Sequence, residues 1–513
     1  MGNLGTATPI DPQRRQNILL FSVFAIATCG LIYELVAGTL ASYLLGDSVT
    51  QFSTVIGTYL FSMGVGSWLS KYIEGNLLKW FVLIEILVGL VGGCSAPLLF
   101  LLFEHISSFR IILYALVSLT GILVGLEIPI LMRILKNSLA FKEVVARVFT
   151  FDYIGALLAA LIFPLLLIPH LGLIRSSLLF GIINTAVAAL LLYRFEEARA
   201  FRKGLVSAIM ITVLILTAGF VYADRIMSYT ETLAFQDKVI YTKNTAYQRI
   251  VLTRNNRELR LFLNGNLQFS SADEYRYHEA LVHPALHALT HAKNVLVLGG
   301  GDGLAVREIL KYAQIDSITL VDLDPAMTQL FSSNQMLRQL NKNSLSSPKL
   351  KVINQDAFNW IRANTKQYDL VVIDFPDPSN YSIGKLYSSR FYEELHHSLS
   401  EGGIAVVQST SPFVARRSFW CITHTLASAG FITIPYHAYV PSFGEWGYVM
   451  AMKQHVWANE GSFPAGLRYI NAATMKEMLT FPPDMGEVPT EVNKLNNQVL
   501  VNYFEDEWAP YIH

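Results

Sequence analysis

Residues 295–303 read Val-Leu-Val-Leu-Gly-Gly-Gly-Asp-Gly, an apolar strand that runs into a glycine-rich turn and then into a predicted helix. Turns of this kind open the nucleotide sites of doubly wound sheets, because glycines such as Gly300 and Gly301 let the backbone approach a ligand closely. The carboxylate within the turn narrows the choice of ligand. Asp302 would repel a phosphate or an amino-acid carboxylate and would attract an ammonium group. The turn therefore predicts an adenosyl ligand with a cationic tail.

Further carboxylates follow the next predicted strands. Asp322 ends the second strand, where it can accept hydrogen bonds from both hydroxyls of a ribose. Asp356 follows the third strand, where it would meet an adenine amino group or cap the next helix. Asp374 and Asp377 follow the fourth strand on a proline-stiffened loop, and both can point into the cleft at the carboxyl ends of the strands. Acids that converge in this way favour a cationic amine over a phosphate.

A predicted alternation of strands and helices positions these carboxylates. The strands are predicted at 295–299, 317–322, 350–354, 368–374, 403–409, 431–437 and 445–452, and the helices at 303–313, 325–340, 356–364, 387–399 and 412–429. Such an alternation is typical of a mostly parallel sheet covered on both faces, here with its last two strands as an antiparallel edge. Before it, residues 232–270 alternate around the hairpin signal Asn264-Gly265 and predict a small β domain, followed by a helix to about residue 290.

The first half of the chain has a different character. Of the 513 residues, 52% are hydrophobic, and residues 17–223 hold nearly all of the excess. Seven stretches are long enough to cross a bilayer as helices, which takes about 20 residues each. They are predicted at 18–44, 50–69, 80–103, 111–132, 151–169, 173–193 and 204–223.

The predicted fold class is therefore an N-terminal all-α multi-span membrane bundle and a C-terminal α/β methyltransferase-like Rossmann domain, which a small β-hairpin domain precedes. The predicted domains are a tail at 1–16, a transmembrane domain at 17–224, a small β domain with a helix at 226–290, the Rossmann-like domain at 291–455 and a C-terminal tail at 456–513.

The lysines and arginines predict an orientation in a cell (inner) membrane. They concentrate before the first segment and in the second, fourth and sixth loops, at Arg14, Arg15, Lys71, Lys79, Arg133, Lys136, Lys142, Arg147, Arg194, Arg199, Arg202 and Lys203. The positive-inside rule then puts the N-terminus in the cytoplasm. Seven crossings would leave residue 224 onward outside, whereas a domain that uses a cytosolic nucleoside should lie inside. A miscounted or re-entrant segment would resolve this conflict, and so would an external domain.

Four carboxylates fall within or beside the predicted membrane segments, namely Glu34, Glu85, Glu127 and Asp152. Ionisable groups in hydrocarbon are costly and usually face the interior of a bundle. They predict either a cavity for polyamines or hydrogen bonds between helices. The net charge of zero gives no electrostatic case for a nucleic-acid partner.

In combination, motifs in residues 235–455 resemble the spermidine synthase family of polyamine aminopropyltransferases, in its membrane-bound bacterial branch. The motifs are Tyr247-Gln248, Leu263-Asn264-Gly265 with Gln268, Asp273-Glu274 with Tyr277-His278-Glu279, Gly299 to Gly303, Asp374 with Asp377, Gln408 and Tyr439. Phe375-Pro376 and Ser379-Asn380-Tyr381 depart from the family pattern beside the amine pocket. These departures bear on which amine is accepted and leave the chemistry unchanged.

The resemblance implies an aminopropyl transfer from decarboxylated S-adenosylmethionine, a co-substrate, with no cofactor or metal. Putrescine leads as acceptor, and spermidine or another diamine is an alternative. Asp374 would act as base with help from Tyr277. The donor site would contain Gln248, Asp302, Asp322, Asp356, Gly300 and Gly301, and the amine site would contain His278, Asp377, Gln408 and Tyr439. Homodimers and homotetramers are common in the family.

Two other functions compete with this one. An S-adenosylmethionine-dependent methyltransferase would need room for the carboxylate of its cofactor, against which Asp302 argues. A membrane polyamine transporter or sensor would retain a synthase-like domain that binds without catalysis, and it would explain the helices of the first half.

Overall fold

The computed structural model describes residues 12–511 except for 46–47, 104–105, 107, 137–139, 196, 198–200, 236, 246 and 456–461. The chain divides into two compact units, Met1–Gln236 and Asp237–His513. The described part of the first unit is helical, and the second contains two sheets with helices between their strands. At this level the predicted fold class, a helical half followed by a Rossmann-like half, is confirmed.

Seven long helices make up the described part of the first unit. They are α1 (Pro12–Leu45), α2 (Ser48–Leu69), α3 (Leu77–Phe103), α4 (Phe109–Leu135), α5 (Phe141–Ile162), α6 (Ile168–Arg194) and α7 (Arg202–Ala234). A π-helical turn at Phe163–Leu167 joins α5 to α6, and the helical path breaks at Gly172, where φ is 70° and ψ is −177°. This break lies between the predicted segments 151–169 and 173–193.

The helix that contains the predicted segment 204–223 extends beyond it. Helix α7 continues from residue 223 to Ala234, so the predicted domain boundary at residues 224–226 falls inside a helix. Charged residues such as Asp224 and Arg225 are compatible with a helix that extends beyond its apolar stretch.

By length and composition alone, five helical stretches could cross a membrane. They are Gln13–Ser42, Leu77–Phe103, Phe109–Leu135, Phe141–Arg194 and Arg202–Ile226. The fourth contains both α5 and α6. Helix α2 falls outside this set, yet it packs closely along α4. A Cβ atom on Gly125 would lie 2.2 Å from the carbonyl oxygen of Met63, and one on Gly121 would lie 2.8 Å from that of Tyr59.

The second unit begins with a four-stranded antiparallel sheet. Its strands are β1 (Lys238–Asn244), β2 (Arg249–Arg254), β3 (Leu259–Leu263) and β4 (Asn266–Ser270), in that order. The turn between β3 and β4 has positive φ at both Asn264 and Gly265, 51° and 85°, as the predicted hairpin requires. The predicted start of this region at residue 232 is wrong, because residues up to Ala234 belong to α7.

Helix α8 (Glu274–Ala288) leads into a seven-stranded sheet with the order β10-β11-β9-β8-β5-β6-β7. The strands are β5 (Asn294–Gly299), β6 (Ser317–Asp322), β7 (Leu350–Asn354), β8 (Tyr368–Asp374), β9 (Leu399–Gln408), β10 (Ile432–Val440) and β11 (Gly444–Met452). Strands β5 to β9 are parallel, and β11 and β10 form the predicted antiparallel edge.

Helices cover both faces of this sheet, and each face has its own buried apolar cluster. They are α9 (Leu304–Ile309), α10 (Pro325–Ser333), α11 (Gln335–Leu340), α12 (Ala357–Ala363), α13 (Tyr381–Gly384), α14 (Ser389–Ser398), α15 (Arg416–Ser428), α16 (Ala472–Met478) and α17 (Val499–Trp508). The predicted helix at 325–340 is interrupted by Asn334, whose side chain caps α11 by accepting from Met336 N and Leu337 N.

The C-terminal segment lies against α15. Trp420 Nε1 donates to the Met485 carbonyl at 3.0 Å, and Ser418 Oγ donates to Glu507 at 2.8 Å.

The glycine turn and the acidic loops lie at the carboxyl ends of β5, β6, β8 and β9. The strand order reverses at β5, the place where open α/β sheets bind their ligands.

Candidate active site

The glycine turn brings the end of β5 against the end of β8. Gly299 and Gly300 have φ values of 80° and 64°, which favour glycine, and a Cβ on Gly299 would lie 2.2 Å from the Asp374 carbonyl oxygen. Asp302 Oδ1 accepts from Leu304 N at 2.8 Å, at the first residue of α9. The carboxyl group of Asp302 is half-buried. Burial raises its pKa to about 6, although the charge of His278 opposes this rise.

Asp322 supports the same turn from the end of β6. Its Oδ2 accepts from Gly301 N at 3.0 Å, and its Oδ1 accepts from Asp324 N at 2.9 Å. A Cβ on Gly301 would lie 2.6 Å from Asp322 Oδ2, which explains why the turn needs glycine there. Burial raises the pKa of Asp322 to about 6, although both backbone donors favour the ionised form.

Tyr277 of α8 reaches the end of β8. Its hydroxyl donates to Asp374 Oδ1 at 2.6 Å, and the tyrosine side chain is buried. Burial and the neighbouring Asp374 charge raise the pKa of Tyr277, so its hydroxyl keeps its proton. Burial also raises the pKa of Asp374, whereas the charge of His278 and the Tyr277 hydrogen bond oppose the rise. Among the described residues, Asp374 Oδ2 has no hydrogen-bond partner.

Gln408 at the end of β9 fixes the loop that carries Asp377. Its Nε2 donates to the Phe375 carbonyl at 2.6 Å, to Tyr387 Oη at 3.0 Å and to Asp377 Oδ1 at 3.3 Å. Its Oε1 accepts from Trp446 Nε1 at 3.1 Å. Burial raises the pKa of Asp377 to about 7. We call Asp302, Asp322, Asp374 and Asp377 the acid set.

His278 is buried on α8, one position from Tyr277. Its Nδ1 lies 2.9 Å from Glu274 Oε2, and both terminal nitrogens of Arg307 donate to Glu274 at 2.8 Å. Although burial opposes the charged form, the hydrogen bond and charge of Glu274 raise the pKa of His278 to about 9. A buried charged network thus lies beside the acid set.

Gln248 and Asp356 are engaged in local contacts. Gln248 Nε2 donates to Asp324 Oδ2 at 3.0 Å, and Asp324 also caps α10 by accepting from Ala326 N. Asp356 caps α12 by accepting from Asn359 N at 3.1 Å, as expected, and also pairs with Lys385 Nζ at 2.8 Å. Despite the effect of burial, Lys385 lowers the pKa of Asp356.

Tyr439 stands apart from the other predicted site residues. It lies near the end of β10, two strands from β9, and its side chain is 51% exposed. Its carbonyl oxygen accepts from Arg276 at 3.0 Å. Across the described ranges, its side chain makes no hydrogen bond to another predicted site residue.

The acid set, Tyr277 and Gln408 thus lie together at the carboxyl ends of β5, β6, β8 and β9. Sequence reasoning did not single out Arg307, Glu308, Asp324, Lys385, Tyr387 or Trp446. The residues described here include no group of three or more His, Cys, Asp or Glu placed to hold a metal ion.

Known proteins with similar sequences are polyamine aminopropyltransferases. The model of the spermine/spermidine synthase domain matches residues 274–460. A polyamine aminopropyltransferase from Leptospira interrogans is 53% identical over 495 residues, which cover 96% of this chain and 99% of that protein. Polyamine aminopropyltransferase 1 from Ralstonia nicotianae is 50% identical over 516 residues, which cover 98% of this chain and 97% of that protein.

Among solved structures, a spermidine synthase in complex with the transition state analogue AdoDATO aligns with a TM-score of 0.45 and 23% identity, covering 53% of this chain and 88% of that chain. The sequence relatives decide the family, because they match over nearly the full length of both chains. The predicted resemblance is confirmed, and the chain belongs to the polyamine aminopropyltransferase family.

Proposed function

We propose that the second unit transfers an aminopropyl group from decarboxylated S-adenosylmethionine to a diamine, with putrescine as the leading acceptor. The contact between Tyr277 and Asp374 carries this proposal. Asp374 lies at the switch point of the sheet, within a set of acids that suits two cationic substrates, and in the described part of the chain its second carboxylate oxygen has no hydrogen-bond partner.

The donor would lie along the ends of β5, β6 and β7. Asp302 would hold its ammonium group, and Asp322 would accept from the ribose hydroxyls. Gly300 and Gly301 would let the backbone approach the nucleoside. Asp356 would meet the adenine amino group, with Lys385 as its neighbour, and Gln248 would border the site through Asp324.

The reaction is an in-line displacement at the propyl carbon next to the sulfonium. A nitrogen–carbon bond forms, the carbon–sulfur bond breaks, and methylthioadenosine leaves with the electron pair. Neutralising an alkylammonium with a pKa near 10.4 at pH 7 costs about 4.6 kcal/mol. Asp374 Oδ2 would take the proton as the new bond forms, while the Tyr277 hydroxyl donates to Oδ1. The alignment of the two bound substrates would lower the activation barrier further.

The acceptor would lie on the β8–β9 side of Asp374. Asp377, with a pKa of about 7, would be ionised by an approaching ammonium group and would hold the far end of a diamine. Gln408 would act mainly by holding Asp377 and the Phe375 carbonyl in place. Tyr439 would border the opening, since its ring is half-exposed.

The test is methylthioadenosine release by the purified full chain, given decarboxylated S-adenosylmethionine and a panel of amines. Release is expected with putrescine and not with S-adenosylmethionine as donor. Nucleoside binding without release for any amine would instead support a polyamine sensor or transporter, and transport of labelled polyamine into vesicles would identify the latter.

We also propose that the helices of the first unit cross the inner membrane in several passes from a cytoplasmic N-terminus. The five apolar helical stretches and the basic loops support this. Reporters fused within successive loops would map the crossings. A reporter fused after residue 236 would show whether the number of crossings is even or odd. An even number puts the second unit in the cytoplasm, and an odd number puts it outside.

A further inference from the structure

A buried network of charged side chains lies between α8 and α9, next to the acid set. It consists of Glu274, His278, His283, Arg307, Glu308 and Lys311, which we call the charge cluster. Arg307 donates to both oxygens of Glu274 at 2.8 Å and through Nε to Glu308 at 2.8 Å. These three side chains are at most 8% exposed, so solvent screens their interactions little.

The hydrogen bonds fix the protons of His278. Its Nδ1 lies 2.8 Å from the Glu274 carbonyl oxygen and 2.9 Å from Glu274 Oε2. Both atoms are acceptors, so Nδ1 must carry a proton. Although burial opposes it, the hydrogen bonds of His278 and Arg307 lower the pKa of Glu274 to about 2, so this carboxylate stays ionised. An ionised neighbour at Nδ1 favours a second proton at Nε2.

The charges of the cluster do not cancel. Arg307 and Lys311 offset Glu274 and Glu308. His283 contacts Glu308 through Nε2 at 2.8 Å and the Tyr312 hydroxyl through Nδ1 at 2.9 Å. A doubly protonated His278 adds a positive charge that the two glutamates do not offset.

The surroundings of His278 place this charge beside the acid set. On its own helix it meets Glu274 and the ring of Tyr277, at 5.0 Å between centroids. From the glycine turn and the end of β8, Asp302 and Asp374 act on it electrostatically. Burial drives both aspartates towards the protonated form, and the charge of His278 opposes this. A protonated Asp374 could not accept a proton from the amine.

We propose that the charge cluster holds His278 as an imidazolium, whose charge keeps Asp302 and Asp374 ionised before the cationic substrates bind. Glu274, Arg307 and Glu308 are then positioning residues, since they act through His278. The sequence assigned His278 to the amine site, but an imidazolium repels an ammonium group. This inference rests on the proposed aminopropyl transfer.

His278→Gln tests the proposal, because it removes the charge and keeps an amide that can donate to Glu274. The acid limb of the pH profile of kcat/KM should move to higher pH by about one unit or more, as expected when the opposite charge that acts on a carboxylate is lost. Glu274→Gln should move the limb in the same direction. Arg307→Lys retains the charge and should shift the limb less.

His287→Gln is the matched control. His287 lies on the same helix and is also buried, but its ring stacks on Phe463 at 4.3 Å, away from the acid set. This variant should keep the acid limb of the wild type. If the cluster only fastens α8 to α9, His278→Gln and Glu274→Gln will lower the Tm and leave the acid limb in place, which would overturn the proposal.

A second measurement does not depend on turnover. The full chain in detergent would be labelled with 15N at its 12 histidines, and the ring signals lost in His278→Gln would be followed with pH. They should titrate near pH 9. A midpoint near the ordinary histidine value of about 6.5 would overturn the proposal. If the wild type releases no methylthioadenosine with any amine, the proposed function fails, and this titration still decides the charge of His278.

Discussion

At the scale of single residues, Asp374 should separate binding from chemistry. Asp374→Asn keeps the shape of the side chain and can still accept from Tyr277, but an amide cannot take a proton from the amine. We expect methylthioadenosine to bind with an unchanged Kd while kcat falls by about 10²–10⁴-fold, the usual contribution of a general base. Calorimetry and methylthioadenosine release measure the two quantities. Normal turnover in this variant would remove Asp374 from the role of base.

Tyr277→Phe provides a graded comparison for Asp374→Asn. It removes one hydrogen bond to Asp374 Oδ1 and leaves the carboxylate in place. Since that hydrogen bond lowers the pKa of Asp374, its loss raises the pKa, and the acid limb of kcat/KM should move to higher pH. Activity at pH 8 should therefore be less affected than activity at pH 6. An equal loss at both pH values would mean that Tyr277 acts on the substrate instead.

The acids of the site were predictable from sequence, whereas their partners were not. A glycine turn follows one apolar strand, and single acids follow the next strands. Because the carboxyl ends of parallel strands lie together, these local signals are enough to bring the acid set to one place. The pairing of Asp356 with Lys385 spans 29 positions, and that of Gln408 with Trp446 spans 38. Such contacts depend on how the helices and the antiparallel edge pack, and local periodicity carries no signal for them.

At the scale of elements, the turn between β5 and α9 tolerates no side chain at Gly301. In Gly301→Ala, the Cβ would lie 2.6 Å from Asp322 Oδ2 and would displace the carboxylate from the ribose position. Loss of a charged hydrogen bond is worth about 1.5–3 kcal/mol, so donor binding should weaken by roughly ten- to a hundredfold. Gly402→Ala in β9 is the control, because no atom lies within 4 Å of its added Cβ. Equal Kd values in the two variants would contradict this account of the turn.

Helices α3, α4 and α6 meet around a pair of buried carboxyl groups. Glu85 and Glu127 lie within hydrogen-bonding reach of each other, and Asn184 Nδ2 donates to Glu85 Oε2 at 2.9 Å. In the described part of the chain, neither oxygen of Glu127 meets a donor. Two ionised carboxylates that face each other in a buried site would be costly, so we expect the pair to hold at least one proton. This geometry supports the predicted interhelical hydrogen bonds.

Glu127→Gln should therefore preserve the helical unit, because its amide supplies the donor that the shared proton now provides. Asn184→Leu should destabilise it by about 1–3 kcal/mol, since Glu85 Oε2 then loses its partner. Thermal unfolding of the full chain in detergent compares the two variants. A larger loss for Glu127→Gln than for Asn184→Leu would show that Glu127 requires its charge, as a cation site would.

Element boundaries show where sequence reasoning stops. Strands β6, β7 and β8 begin and end where predicted, because each is a short run that contains β-branched residues and is closed by a polar residue. Helix α7 continues to Ala234, beyond its apolar stretch, and hydrophobic length alone could not reveal that extension. The helix predicted at 325–340 divides at Asn334, whose capping role depends on two backbone donors that only the structure shows.

At the scale of the whole molecule, the two compact units predict that chemistry and membrane attachment can be separated. Every residue that we place in the site lies in the unit Asp237–His513, and the hydrogen bonds that hold the site are made within that unit. The apolar helical stretches all lie in the other unit. A chain that begins at Asp237 should therefore release methylthioadenosine with a kcat of the same order as the full chain.

The two chains should differ in fractionation. The full chain should stay in the membrane pellet after extraction with alkaline carbonate, whereas the chain that begins at Asp237 should appear in the supernatant. Asp374→Asn in the shorter chain is the control for contaminating activity. If the shorter chain folds and binds methylthioadenosine but does not turn over, the helical unit takes part in the reaction beyond attachment. The buried Glu85–Glu127 pair would then be the first place to look for that contribution.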